Sequence, residues 1–510
     1  MLRNLVSVIV IYLLAGAAWA EGEESWELLG PLVVEELDNG MTFLLYPNRR
    51  APIFSGVIRF DVGGKDETPG QTGVSHMFEH MAFKGTRQIG TKDHVGESEA
   101  LRRVEEMAWR RDRARNEARR ASDPTDEMQA QLAALEEKVK KAQEDAARFV
   151  VKDEFDEIYN REGGAQLNAT TSSDATTYFI SLPANRLPLW TRMESDRLLM
   201  PVMREFYQER DVVMEERRMR RDNSPVGQLW EITMATAYQA HPYAYPVIGW
   251  EDDIINLKAS LANEFYRRHY TPDRAVGVLV GDFDVEATRA LLRETFGRIP
   301  PADEQAGHQR IVPEPPQRGE RRVNLELPAT PALLMAWHKP QAPDPADVAA
   351  EVLMQVLAGG RSARWFEKFV KEERLAADIY TFTGPGDHEP NLFMIYATPQ
   401  GEHTLEELEA AIRSDVAELA REPLGEDELA RAKKSLRADA IRALKTNLGL
   451  AQQLATSFLI GGDPYYLERR LRQLEAVTAD EIMSFIDTFL QDSNLTVGTL
   501  RVPAEGEEAG

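Results

Sequence analysis

Gly73-Val74-Ser75-His76-Met77-Phe78-Glu79-His80-Met81-Ala82-Phe83-Lys84-Gly85-Thr86 holds two histidines and a glutamate at the spacing His-x-x-Glu-His. Val74, Phe78 and Met81 recur at helical intervals, which predicts a helix that starts near Thr72 and ends at Lys84-Gly85-Thr86, with Gly85 as its cap. On that helix His76 and His80 share a face one turn apart. Two imidazoles so placed can grip one tetrahedral zinc ion. Glu79 lies beside them, where a carboxylate can take a proton from a water that the ion has acidified. The order is the inverted form of the zincin motif. Two surface histidines with a neighbouring acid are the bland alternative. With nine histidines in 510 residues the pattern seldom arises by chance, and here it follows a strand and a Gly63-Gly64 turn.

A catalytic zinc takes three protein ligands and keeps one position open. Cysteine is absent from the chain, so the ligands must be His, Asp or Glu, and disulfides and thiol nucleophiles are excluded. His94 lies in loop-like sequence, and His241 and His269 stand alone. The acids of Glu209-Arg210-Asp211-Val212-Val213-Met214-Glu215-Glu216 are better placed. Glu209 and Glu216 are two turns apart and face the same way, whereas Glu215 and Glu216 cannot both point inward. Periodicity alone leaves this run an ordinary charged helix face.

Around the motif the chain alternates strands and helices. Residues 33–37 and 42–46 flank Asp38-Asn39-Gly40 and read as a hairpin. Residues 54–62 form a further strand, strands return from Gln166 to Ile180, and one long helix is expected from Leu187 to about Asp222. Between 97 and 152 the character changes. An Arg-rich helical segment, 101–121, is followed by the helix stop and fresh cap of Ser122-Asp123-Pro124-Thr125-Asp126. Met128, Leu132, Leu135, Val139, Ala142, Ala146 and Phe149 then recur at steps of four and three, a heptad seam. The segment reads as an antiparallel coiled-coil hairpin with ion pairs between its helices. Residues 301–320, rich in Pro, Gln and Gly, read as a linker between two units, 21–300 and 321–505. A faint repeat joins the units: both Phe265–Val280 and Phe489–Val502 pass from an aromatic helix end into a strand.

Residues 1–20 read as a secretory signal, with Arg3, an apolar run from Leu5 to Leu14 and Ala18-Trp19-Ala20 before the cut. No later run approaches the length of a membrane span. A periplasmic or secreted protein is therefore expected. The net charge of −24 argues against nucleic acid as a partner, and 43% hydrophobic residues suffice for a sizeable core.

The chain resembles the insulinase/pitrilysin family of inverted-motif zinc metallopeptidases, which includes mitochondrial processing peptidase. The likeness runs through essentially the whole mature chain, most densely from Asn48 to Asp284. It rests on 73–86, on Gly163-Gly164-Ala165-Gln166-Leu167-Asn168-Ala169-Thr170-Thr171 and on Glu209-Arg210-Asp211-Val212-Val213. The resemblance implies an α+β fold of two homologous domains, each a mostly antiparallel sheet flanked by helices, with the 97–152 hairpin inserted in the first. It implies zinc, one ion per chain, held by His76, His80 and Glu216, with Glu79 as general base. Glu209 matches an acid that orients the site, and Asn168 an asparagine on an edge strand that holds the substrate's backbone. The stretch from His80 to Glu216 is longer than is usual in the family by about the length of the 97–152 segment.

The implied activity is that of an endopeptidase or oligopeptidase that hydrolyses peptides or unfolded segments in an enclosed chamber. The family's second half usually carries an arginine and a tyrosine that bind substrate. Here Lys371 stands at the arginine's place and Ala377 or Asp378 at the tyrosine's, with Tyr380 out of step. A homologous second subunit supplying that pair is therefore expected, or a homodimer. The competing expectation is a non-catalytic peptide-binding or assembly subunit of a heteromeric complex, which the intact His76, Glu79 and His80 oppose. His and Glu ligands also suit other divalent ions.

Overall fold

The computed structural model describes residues 30, 32–303 and 310–503. The expected signal segment 1–20, residues 21–29 and 31, the middle of the expected linker and residues 504 and 505 lie outside the described residues.

Two sheets organise the chain. The first contains β1 (Val33–Glu36), β2 (Thr42–Pro47), β3 (Ile53–Phe60), β4 (Ala165–Thr171), β5 (Thr176–Pro183) and β6 (Ala275–Gly281), in the order β1-β2-β6-β3-β5-β4. All pairs are antiparallel except β2 with β6. The second contains β7 (Arg321–Glu326), β8 (Ala332–Lys339), β9 (Ala376–Gly384), β10 (Asn391–Pro399) and β11 (Leu495–Arg501), in the order β7-β11-β8-β10-β9, with β7 and β11 the parallel pair. From β2 onward the two orders correspond strand for strand, so the protein is α+β with a repeated architecture. The repeat legible in the sequence falls on β6 and β11, which hold the same place in their sheets. All seven residues of β6 are buried, as a strand covered on both faces requires, while β7 alternates along its length.

Alternation sends successive side chains to opposite faces, and each half covers one face of its own sheet. Phe43, Leu45, Phe54, Ile58 and Leu279 pack on helices of the first half. Leu333, Met335, Trp337, Phe393 and Val497 pack on helices of the second. The remaining faces are covered by exchange. Leu44, Val57, Val276, Val278 and Val280 lie against Leu448, Ala451, Leu454 and Ala455 of the helix Asn447–Gly461 from the second half. Ala332, Leu334, Ala336, Met394 and Leu500 lie against Leu229, Met234 and Ala237 of the helix Pro225–Ala237 from the first. That helix approaches so closely that a Cβ at Gly498 of β11 would stand 2.1 Å from Thr233 Oγ1.

The long helix expected from Leu187 to Asp222 is broken. It runs Leu187–Leu199, stops, and resumes as Phe206–Arg217 before a wider π-helical turn over Arg218–Asp222. Pro201 and the left-handed Glu205 (φ 59°) end its continuity. The break lets Arg204 turn inward, where it is fully buried.

The 97–152 segment folds as two antiparallel helices, His94–Arg120 and Asp126–Ala147. His94 is therefore helical rather than in a loop, and Asp93 caps that helix by accepting from the Val95 N–H. Of the seam residues, Val139 and Ala146 are buried and the rest half-buried. The root is closed by backbone bonds from Lys92 to Phe149 and from Val151 to Gly90, so the chain leaves and rejoins the body at one point. No helix among the described residues is long and apolar enough to cross a membrane.

Candidate metal centre

The motif helix spans Val74–Met81. It ends before Gly85, which takes a positive φ in the following turn, where Thr86 N–H donates to the Ile89 carbonyl. Its start is held by a buried carboxylate. Glu67 accepts from the N–H groups of Gly73 (2.7 Å) and Ser75 (2.8 Å), two of the unpaired donors that open a helix. Burial raises Glu67 to about 8, against the pull of those two bonds. On the inner face Phe78 stacks on Tyr266 at 4.5 Å between ring centres and lies 4.7 Å from Tyr270. The helix is thus fixed at its start and along one side, and this sets the direction of its histidines.

His76 and His80 meet edge to face, with ring centres 4.8 Å apart. Their Nε2 atoms lie 3.7 and 3.5 Å from the same oxygen, Glu216 Oε2, on the helix Phe206–Arg217. One ligand atom from each of His76, His80 and Glu216 lies within 4.8 Å of the other two. In a tetrahedral zinc site, bonds of about 2.0–2.2 Å set ligand atoms ~3.3–3.6 Å apart. The two nitrogens and the carboxylate oxygen therefore suit zinc in kind, and both histidine-to-glutamate separations lie close to that span.

The surroundings divide the work between the two imidazoles. His80 Nδ1 lies 3.0 Å from Glu209 Oε1, and the other oxygen of Glu209 pairs with Lys84 at 2.7 Å. Burial opposes charge on His80, but Glu209 and Glu216 outweigh it and raise the imidazole to about 9. Burial and then the neighbouring His80 lower His76 to about 4. Burial also works against ionised Glu209, yet His80 and Lys84 bring it down to about 2. Glu216 is lowered chiefly by its contact with His80. Glu79 is raised by burial, against a hydrogen bond donated by the Thr171 hydroxyl at the end of β4.

His76, Glu79, His80, Glu209 and Glu216 thus converge on one spot. Asn168 does not join them through its side chain: it is exposed on β4, and its Oδ1 accepts from the Ala169 N–H. The strand that carries it forms the edge of the first sheet, with β5 on one side only. Lys84, Thr171 and Arg220 complete the surroundings and were not singled out from the sequence. Lys84 and Thr171 sit inside the runs quoted above, and Arg220 follows Glu216 by four residues, a spacing that pairs side chains on a helix. In the second half Lys371 pairs with Glu367, and Tyr380, 53% exposed, donates to Asp378 at 3.2 Å.

A sequence profile described as Insulinase (Peptidase family M16) matches residues 46–108, and one described as Peptidase M16 inactive domain matches 256–436. Zinc protease PqqE of Helicobacter pylori is 26% identical over 476 residues, 91% of each chain. An uncharacterized zinc protease of Mycobacterium tuberculosis is 30% identical over 338 residues, 62% of this chain and 73% of that one. The crystal structure of a protease from Helicobacter pylori superposes with a TM-score of 0.76 at 23% identity, over 93% of this chain and 100% of that one, which shows the shared fold.

Proposed function

The chain belongs to the insulinase (M16) peptidase family, and from this premise we propose that it is a zinc-dependent endopeptidase or oligopeptidase acting on peptides or unfolded segments. The observation that carries the reading is the convergence of His76 Nε2, His80 Nε2 and Glu216 Oε2 beside Glu79. His76, His80 and Glu216 would hold one zinc ion, which supplies a Lewis acid when bound. Glu79 takes the proton of the attacking water and passes it to the leaving amine nitrogen. Its burial suits the task, since a raised carboxylate is a stronger base than an exposed one. The Thr171 hydroxyl orients it through one oxygen. Glu209 fixes the ring of His80 through Nδ1, which leaves the Nε2 lone pair free toward Glu216. An extended peptide adds as a strand to the open edge of β4, near Asn168, so its backbone is read more than its side chains. The two halves form the walls of the chamber in this reading.

The test is hydrolysis of a mixed set of quenched fluorescent peptides by the full mature chain. Activity is expected to vanish on chelation and return with one equivalent of zinc per chain. Hydrolysis indifferent to chelation would sink the proposal. A chain silent with zinc bound calls for its partner: Lys371 stands where an arginine is expected and Ala377 or Asp378 where a tyrosine is, so a homologous subunit, or a second copy, supplies that pair. Silence with such a subunit present favours a non-catalytic binding role.

Glu209→Ala is expected to weaken zinc affinity by about 10–100-fold, because the acceptor that sets the tautomer of His80 is gone. Competition with a metal-binding dye measures this, and an unchanged affinity removes Glu209 from the site.

A further inference from the structure

Arg220 is an exposed cation beside this site. It lies in the π-helical turn after the helix that carries Glu216 and reaches back to Glu216 Oε1 at 2.9 Å, the oxygen not turned toward the histidines. Its side chain is 71% exposed, whereas that of Glu216 is 15% exposed. Its charge is felt by His76, Glu79 and Glu216 alike.

The neighbouring arginines are committed. Arg217 is buried and held by both oxygens of Glu231 and by the Gly249 carbonyl. Arg221 donates to the Gly227 carbonyl, and Arg218 pairs with Glu215. Arg220 shares Glu216 with two imidazoles, and a carboxylate so shared holds a mostly exposed guanidinium weakly. This local positive charge stands out in a chain of net charge −24. A planar guanidinium with free N–H groups matches a carboxylate two-pronged.

We propose that Arg220 is a specificity-determining residue that pairs with a carboxylate of the bound peptide, either an acidic side chain or the free C-terminus. This rests on the peptidase reading above and adds a charge preference to a site that otherwise reads backbone. A helix-end arginine that merely steadies Glu216 is the plain alternative, and zinc content separates the two.

The test uses the full chain carrying Glu79→Gln, loaded with zinc, and reads peptide binding by fluorescence anisotropy. The probes are dye-labelled decapeptides: a neutral one, a set with one aspartate walked along it, and each with a free or amidated C-terminus. An aspartate at one position, or the free C-terminus, is expected to tighten binding about tenfold. Whichever of the two gives the gain identifies the carboxylate. Arg220→Gln is expected to bring the favoured peptide down to the neutral peptide's affinity with zinc still bound, and Arg220→Lys to restore part of the gain. Equal affinity for all peptides, a preference that survives Arg220→Gln, or loss of zinc in that variant overturns the inference. Failure of every peptide to bind, with a homologous subunit present as well, overturns the peptidase reading along with it. Charge-selective binding beside a wild type that hydrolyses nothing, even with a homologous subunit present, leaves Arg220 in its role and removes only the catalytic claim.

Discussion

Glu79→Gln is expected to lower peptide hydrolysis by about 10²–10⁴-fold while zinc content stays at the wild-type level. The glutamine has the same shape and can still accept from the Thr171 hydroxyl, but it cannot take the water's proton. The helix Val74–Met81 is held by Glu67 at its start and by Phe78 against Tyr266 and Tyr270, so neither histidine has cause to move. Turnover of a quenched fluorescent peptide and zinc per chain, measured on the same sample, check both halves of the expectation. Activity within about tenfold of wild type would remove Glu79 as the general base. Loss of zinc would mean that the carboxylate helps to hold the metal.

The second large effect lies away from the chemistry. Glu97→Ala is expected to destabilise the fold by about 3–5 kcal/mol, the usual cost of leaving a buried charge without its partner. Glu97, at the base of the hairpin's first helix, is fully buried and receives both Nε and Nη2 of the equally buried Arg204. Arg204 also donates to the Lys84 and Thr86 carbonyls, just beyond the motif helix, and stands two residues before the helix that carries Glu209 and Glu216. Asp112 repeats the arrangement further along, with Arg210 and Lys258. Urea unfolding followed by intrinsic fluorescence measures the loss. The double variant Glu97→Met/Arg204→Met is expected to recover part of it, since an apolar pair of similar size removes both charges together but leaves the Lys84 and Thr86 carbonyls without their donor. A single variant within about 1 kcal/mol of wild type would show that the pair does not hold the hairpin to the site.

Much of this was legible in residues with local meaning. The spacing of His76, Glu79 and His80 is a helix-face signal and needs no tertiary knowledge. The seam from Met128 to Phe149 named the residues that the hairpin covers, because steps of four and three describe a single stripe. The break between Leu199 and Phe206 was missed although Pro201 lies inside it. Proline inside an apolar helical pattern signals either a kink or an end, and the deciding feature, Arg204 turning inward to Glu97, depends on a residue 107 positions away. Periodicity showed that Glu209 and Glu216 share a face, while their distinct places, one on His80 Nδ1 and the other toward both Nε2 atoms, follow from the crossing of two helices. The exchange of Pro225–Ala237 and Asn447–Gly461 was illegible for a similar reason. An apolar stripe states that a face is covered and does not state by which sheet.

That exchange also sets an order in time. During synthesis the strands β1 to β6 are complete by Gly281, yet the face formed by Leu44, Val57, Val276 and Val278 waits for a helix that ends at Gly461. The second sheet has the opposite history, because Pro225–Ala237, its cover, is made before the first of its strands. A chain halted anywhere between the two events carries a bare apolar sheet, the kind of surface on which nascent proteins aggregate or are held by chaperones. The first half is thus the earlier to be made, yet it is finished only when most of the second half has been made.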